Sequence, residues 1–313
     1  MGIARAAAFA PASMGNYGVA FDVIGVAFAE PGDVISAEWR DQPGAIIASI
    51  EGDGGRLPLD PAQNTATVAA NSLLRHLGLR RGVSLALQKG LPLGSGLGSS
   101  AASAVAAVVA INALAGEPLS REELLPACLD GEALISGYHP DNAGPSLLGG
   151  ITLITGAHLT EIRRMPVPDN LRFALVTPDL SVSTAAARAL LPKTVPLRAM
   201  VAQTAAVARL VDALHRGDLE AMAEAMERDG IIEPARSSLI PLLAEARAAA
   251  KRAGALNLVI SGAGPTLAAV CAGDETAGRV AAALGALYDG AGIGCMARAT
   301  SVSAEGARVL AVE

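Results

Sequence analysis

The sequence predicts an α+β fold, and three observations carry that prediction. Strand-like and helical runs alternate irregularly instead of repeating as βαβ units. Residues 195–253 are rich in Ala and Leu at helical spacing with few breakers, which predicts two or three amphipathic helices in one block. Apolar residues make up 51% of the 313 and charged residues only 17%, so the chain is not disordered and can bury a large core. With aromatics at 3%, that core must be built mainly from Ala, Val, Leu and Ile. The length suits one large domain or two moderate ones, with a boundary expected between 155 and 170.

Taken in order, the first fifty residues read as strands: Ile3–Phe9, then DVISAEW from Asp33 and AIIASI from Ala45, separated by Pro/Gly turns. A helix is expected over Thr65–Leu77 and a short strand over Val83–Gln88. A Gly-rich loop then leads into an apolar helix over 101–115. The next helix opens at Ser120, where Ser120 and Glu123 have capping-box spacing. Apolar strands follow at Ile151–Ile154 and Leu171–Val176. Beyond the helical block, the tail reads as strands at Leu256–Ile260 and Leu267–Cys271, a helix over 275–288 and a strand at Ile293–Ala299.

Charge and cysteine usage exclude several classes. The net charge is −6 with no domain-wide basic face, which argues against nucleic acid and anionic membranes as partners. Cys128, Cys271 and Cys295 are odd in number, far apart and in no C-x-x-C pair. Neither a disulfide framework nor a zinc site is indicated, and a cytoplasmic, reducing setting is expected. The opening MGIARAAAFAPAS has too short an apolar run for a signal peptide. No charge appears between Lys89 and Glu117, but GLPLGSGLGSSAAS is too rich in Gly, Pro and Ser to span lipid. The following AVAAVVAINALAG, about 13 residues, suits a buried core helix.

The strongest chemical signal is the run from Leu91 to Ser103, LPLGSGLGSSAAS. Gly94, Gly96 and Gly98 let the backbone approach a ligand and turn successive N–H groups towards it. A helix N-terminus follows at once, and its free N–H groups and dipole favour an anion, most often phosphate. No Lys follows the last Gly, so this is not a Walker loop. Gly96–Ala101 matches G-x-G-x-x-A, yet the preceding strand ends too early and no acidic residue closes a second strand, so a dinucleotide site is the lesser reading. A hydrolase elbow fails for want of its last glycine. Lys89, just before the loop, reads as a strand-end surface lysine. Trp39 reads as a strand packing residue, with nothing basic beside it but Arg40.

The run P-x-x-x-G-L-G-S-S-A headed by Pro92 resembles the nucleotide loop of the galactokinase, homoserine, mevalonate and phosphomevalonate kinase (GHMP) superfamily. Two more motifs of that superfamily have counterparts in the expected order. PASMGNYGVAFDVIG (Pro11–Gly25) resembles its substrate motif, and ISGAGPTLAAV (Ile260–Val270) its glycine-rich third motif. SGYHPDN (Ser136–Asn142), VSTAAARALLP (Val182–Pro192) and EPARSSLIP (Glu233–Pro241) are similar to the homoserine-phosphorylating branch. Two departures leave room for altered substrate tolerance: Val19-Ala20 precede Phe21-Asp22 where P-G is usual, and Ala186 stands where an acidic residue is usual.

The resemblance implies two α+β lobes, an S5-like N-terminal lobe over 1–165 and a ferredoxin-like C-terminal lobe over 166–313, with the site between them and a homodimer contact on part of the helical surface. It implies ATP as phosphoryl donor on Pro92, Leu93, Gly94, Ser95, Gly96, Leu97, Gly98, Ser99, Ser100, Ala101 and Ala102, with Asn64 at the nucleotide. It places Mg²⁺ on Ser100 and Glu132, a carboxylate that needs a partner in its apolar stretch. An amino-acid substrate such as L-homoserine needs an acceptor for its ammonium and cationic forks for its carboxylate. Asp22 with Asn16 suits the first, and Arg188 and Arg236 suit the second. His139, Asp141 and Asn142 share one loop with Pro140; the resemblance sets that loop against the substrate, with Asn142 on the attacking hydroxyl and His139 and Asp141 shaping the amino-acid pocket, and in mevalonate-type relatives a carboxylate in this region is the base, a role the sequence leaves open for Asp141. Phosphoryl transfer gains most of its rate from positioning and charge neutralisation, so a dedicated base is not required by the chemistry. His76, His158 and His215 fall outside these motifs.

Overall fold

The computed structural model describes residues 3–156 and 161–313, so His158 lies outside the described residues. It is built on two sheets. The first has seven strands: β1 (Arg5–Met14), β2 (Ile24–Arg40), β3 (Ala45–Glu51), β4 (Gly82–Gln88), β5 (Ile151–Ile154), β6 (Ile162–Met165) and β11 (Arg308–Val312). They run in the order β11-β1-β2-β4-β3, with β5 on the first residues of β2 and β6 on β5. The second sheet joins β7 (Leu171–Pro178), β8 (Asn257–Ile260), β9 (Leu267–Ala272) and β10 (Cys295–Ser301) in the antiparallel order β10-β7-β9-β8. With helices between its first and second strands and again between its third and fourth, this is the ferredoxin-like arrangement expected of the second lobe.

Of the Pro/Gly turns expected in the first fifty residues, Pro43-Gly44 does separate β2 from β3, whereas Pro11 and Pro31-Gly32 lie inside long strands. β1 continues through Pro11, and β2 runs through Pro31 and Gly32 for 17 residues. The β1–β2 register shifts between Pro11 and Ser13, so the breakers sit at a bulge where the strand bends. Gly32 is needed there because a Cβ would lie 2.3 Å from the Phe9 ring.

The first-lobe helices are α1 (Thr65–His76), α2 (Ser99–Leu114), α3 (Arg121–Glu132) and α4 (Pro140–Leu148). From Ala101 to Leu114 every residue of α2 is buried. A helix apolar all round must be covered on every side, and α1, α3, α4 and the sheet cover it. Its alanines let these neighbours approach closely. The second-lobe helices are α5 (Thr184–Ala189), α6 (Leu197–Arg216), α7 (Leu219–Met226), α8 (Ile232–Arg236), α9 (Leu243–Arg252) and α10 (Asp274–Gly290). Among the described residues, no helix is long and apolar enough to cross a membrane.

The lobes share a core. Phe173 of β7 meets Phe28 of β2 edge-on at 5.2 Å and Tyr17 at 6.3 Å, all three fully buried. The Tyr17 hydroxyl reaches Met222 Sδ of α7 at 3.4 Å. At the other end of β2, the Arg81 guanidinium lies 4.4 Å from the Trp39 ring centre, a cationic neighbour that sequence distance concealed.

Candidate active site

A cavity of about 480 Å³ opens between the lobes, beside the Gly-rich loop and the N-terminus of α2. Gly94, Gly96 and Gly98 all adopt positive φ, at 63°, 80° and 62°. At Gly98 the reason is also steric: a Cβ would lie 2.1 Å from Ser13 Oγ and 3.0 Å from Asn142 Oδ1. The carbonyls of three consecutive residues point away into the second lobe. Val182 N–H donates to Gly94 O (3.0 Å), Thr266 N–H to Ser95 O (3.1 Å) and the Ser261 hydroxyl to Gly96 O (2.8 Å). No side chain caps α2 at Gly98, so its first-turn amides stay available to an anion.

Lys89 corrects the surface reading. Its side chain is buried and pairs closely with Asp33, and it donates to Ser99 O (2.9 Å), Ser99 Oγ (2.8 Å) and Ser103 Oγ (3.0 Å). Burial lowers the ammonium's pKa, while Asp33 opposes the shift. Asp33 also accepts from Gly90 N–H (3.1 Å), Leu91 N–H (3.2 Å) and Ser103 Oγ (2.8 Å). One buried acid in β2 therefore fixes the strand end, the loop entry and the first turn of α2.

Glu132 ends α3 facing the cavity, 2% exposed. Its Oε2 accepts from Ser136 Oγ at 3.1 Å, whereas buried Oε1 has no hydrogen-bond partner among the described residues. Burial raises its pKa, and the Ser100 and Ser136 hydroxyls and the Lys89 charge oppose the shift. An orphaned buried carboxylate oxygen beside a serine hydroxyl fits a hard cation.

Only His139 stays in the connecting loop, as the residue that caps α4; Asp141 and Asn142 lie in the first turn of that helix. Pro140 at the first helical position suits this start, because its missing N–H would be unpaired anyway. Asn142 Oδ1 accepts from Ser13 Oγ at 3.1 Å. Asp141 is 5% exposed, and its pKa is pushed up to about 7 by burial and then by the Asp22 and Glu132 charges, against Arg188 and the Asn16 N–H. Gly15 must be glycine, since a Cβ would lie 2.1 Å from Asp141 Oδ2.

On the same cavity wall, Asp22 takes a bidentate pair from Arg188, both bonds at 3.0 Å, and His139 Nδ1 lies 3.5 Å from Asp22 Oδ2. The two residues assigned to opposite ends of a zwitterion thus hold each other. Arg236 is 3% exposed and donates to Gly262 O at 3.1 Å. Burial, and next the Arg188 charge, pull its pKa down. The Nε of each arginine is buried without a partner among the described residues.

Asn16 and Asn64 also line the cavity, with their amides already engaged. Asn16 donates to Gly262 O (2.9 Å) and accepts from Asp22 N–H (3.2 Å), tying the substrate-motif loop to the third motif. Asn64 caps α1 through Ala66 N–H (3.0 Å) and donates to Pro58 O (3.0 Å). Of the loop residues, Leu93, Gly94, Ser95, Gly96, Gly98, Ser99 and Ser100 line the cavity. Pro92, Leu97, Ala101 and Ala102 lie off its wall, the last three buried in packing, so they support the loop's shape rather than touch what it holds.

The family model described as the GHMP kinases N terminal domain matches residues 64–150, and that of the GHMP kinases C terminal matches 210–290. A homoserine kinase of Chlorobium phaeobacteroides is 39% identical over 287 residues, covering 88% of this chain and 89% of that protein. One from Xylella fastidiosa is 40% identical over 307 residues, covering 98% and 94%. The crystal structure of a Cytophaga hutchinsonii homoserine kinase superposes with a TM-score of 0.94 at 40% identity, covering 98% of this chain and 97% of that one. An L. major mevalonate kinase, at 18% identity and a TM-score of 0.71 over 95% of this chain and 96% of its own, shares the fold.

Proposed function

This chain belongs to the GHMP kinase family, and from that premise we propose that its interlobe cleft phosphorylates L-homoserine with ATP. The γ-phosphoryl group passes to the side-chain hydroxyl: the new O–P bond forms as the bond from Pγ to the β-phosphate oxygen breaks. ADP and O-phospho-L-homoserine leave, a step of threonine biosynthesis.

The observation that carries this reading is the meeting, in one cavity, of an anion-binding loop and a site with both charge signs. The loop 93–100 and the α2 amides hold the triphosphate. Asp22 takes the substrate ammonium, and Arg236 with Arg188 takes the carboxylate as the Asp22–Arg188 pair opens around the zwitterion. Asn142 holds the attacking hydroxyl, and Asp141 accepts its proton. A carboxylate poised near neutrality is matched to that task. Ser100 and Glu132 would hold Mg²⁺, which when bound neutralises charge on the phosphates. The rest of the rate comes from alignment.

The test is ADP release by the purified protein with Mg-ATP, comparing L-homoserine with D-homoserine, L-serine and mevalonate. Turnover confined largely to L-homoserine is expected. Arg236→Ala should raise its KM by roughly two orders of magnitude, the usual size for truncating one member of a buried charged contact. Turnover on mevalonate alone would overturn the zwitterion assignment, and ATP binding without any turnover would overturn the kinase assignment.

A further inference from the structure

Phe21 lines the cavity, and nothing above uses it. The chain has only four phenylalanines, of which Phe28 and Phe173 form the buried lobe contact. Phe21 is only partly buried, and two cations converge on it. The guanidinium carbon of Arg188 lies over its ring 5.2 Å from the centre, and that of Arg236 lies over the same ring at 5.1 Å.

Two guanidinium groups sharing one ring repel each other, and Arg188 is indeed among the charges that lower the Arg236 pKa. Arg188 is neutralised by Asp22; Arg236 has the Gly262 carbonyl. The ring is the contact the two arginines have in common. Its π face attracts each cation, and because it offers no hydrogen-bond acceptor oxygen it does not compete for their N–H donors. The unpartnered Nε of each arginine is consistent with donors held in reserve for a ligand.

We propose that Phe21 is a positioning residue that holds Arg188 and Arg236 as a two-forked receptor for a carboxylate, and so makes this cleft select α-amino acids over neutral alcohols. The proposal rests on the kinase reading above. It explains why the phenylalanine and the aspartate sit side by side in the substrate-motif loop: one residue sets the cationic end of the pocket and the next supplies the anionic end.

The experiment measures kcat and both KM values for wild type, Phe21→Leu and Phe21→Tyr, with L-homoserine and with its carboxamide. Phe21→Leu should raise the KM for L-homoserine roughly tenfold, within the range of a desolvated cation–π contact, and leave the KM for ATP and kcat within about twofold. Phe21→Tyr keeps the ring and should stay near wild type. With the carboxamide, which lacks the negative charge, wild type and Phe21→Leu should differ by less than about twofold. An unchanged KM for L-homoserine in Phe21→Leu, a parallel rise in the KM for ATP, or Phe21→Tyr falling as far as Phe21→Leu would each overturn the proposal. Phe21→Met, of similar volume, carries the same expectations if the leucine variant does not fold. Wild-type protein inert towards L-homoserine defeats the kinase reading itself, an outcome distinct from active wild type with an unaffected variant.

Discussion

Among the residues of the cavity, Asp141 is a carboxyl whose charge state is strongly set by its surroundings. Its pKa, pushed up to about 7 in the folded protein, lies well above that of an exposed aspartate. Between these two values the folded chain holds a proton that the unfolded chain has lost. Stability contributed by this group is therefore fully present at low pH and falls as pH rises towards about 7, then levels off. Asp141→Asn should be more stable than wild type at pH 8, by an amount of order 1 kcal/mol or more, with the gain shrinking towards pH 4; denaturant titrations at both pH values check this. The same variant should lose activity, and the wild-type rate should rise through pH about 7 as the carboxylate ionises. How far sequence could reach differs among the site residues. Asp22, Asp141, Asn142, Arg188 and Arg236 stand in motifs, Glu132 stands out as an acid in an apolar stretch, and all six reach the cavity wall. Asp33 stands in no motif and meets Lys89 across 56 residues, so its importance is a product of tertiary pairing. The only local hint was an acid at the head of an apolar strand.

Gly98 shows how one position can control an element. It is the residue before α2, in a left-handed conformation, with Ser13 and Asn142 occupying the space where a side chain would go. Gly98→Ala should weaken ATP binding at least tenfold, measured by calorimetry, because φ of +62° is strained for alanine and the clash displaces the first turn of the helix. Helices and strands with a clear period were legible: α1, α2 and α3, the last expected over 120–134, fall within two residues of expectation at each end. The block 195–253 holds four helices, α6 to α9, where two or three were expected, and β6 was not expected at all; for two other missed elements, α4 and β11, the physical reason is plain. α4 carries Pro140, Gly144 and Pro145 in nine residues, a composition that reads as loop, and is held as a helix by packing on β1, β2 and α2. β11 is short and pairs with β1, about three hundred residues earlier, so nothing local marks its partner.

Across the whole molecule, the lobes are joined by a core and not by a hinge. Phe173 is the second lobe's main aromatic in that contact. Phe173→Ala should cost about 3–5 kcal/mol while chemical denaturation remains a single transition for wild type. Two separate transitions in wild type would show that the lobes unfold independently. The chain itself crosses the division twice, since β11 returns after β10 to flank β1. The three bonds from Val182, Ser261 and Thr266 to the glycine-rich loop then have a consequence for biogenesis. The loop at 94–96 leaves the ribosome before Val182 and long before Ser261 and Thr266, so it is made without the second-lobe donors that hold its carbonyls. If the proposed kinase reading holds, the loop of the nucleotide site takes its final shape only after the second lobe has been made.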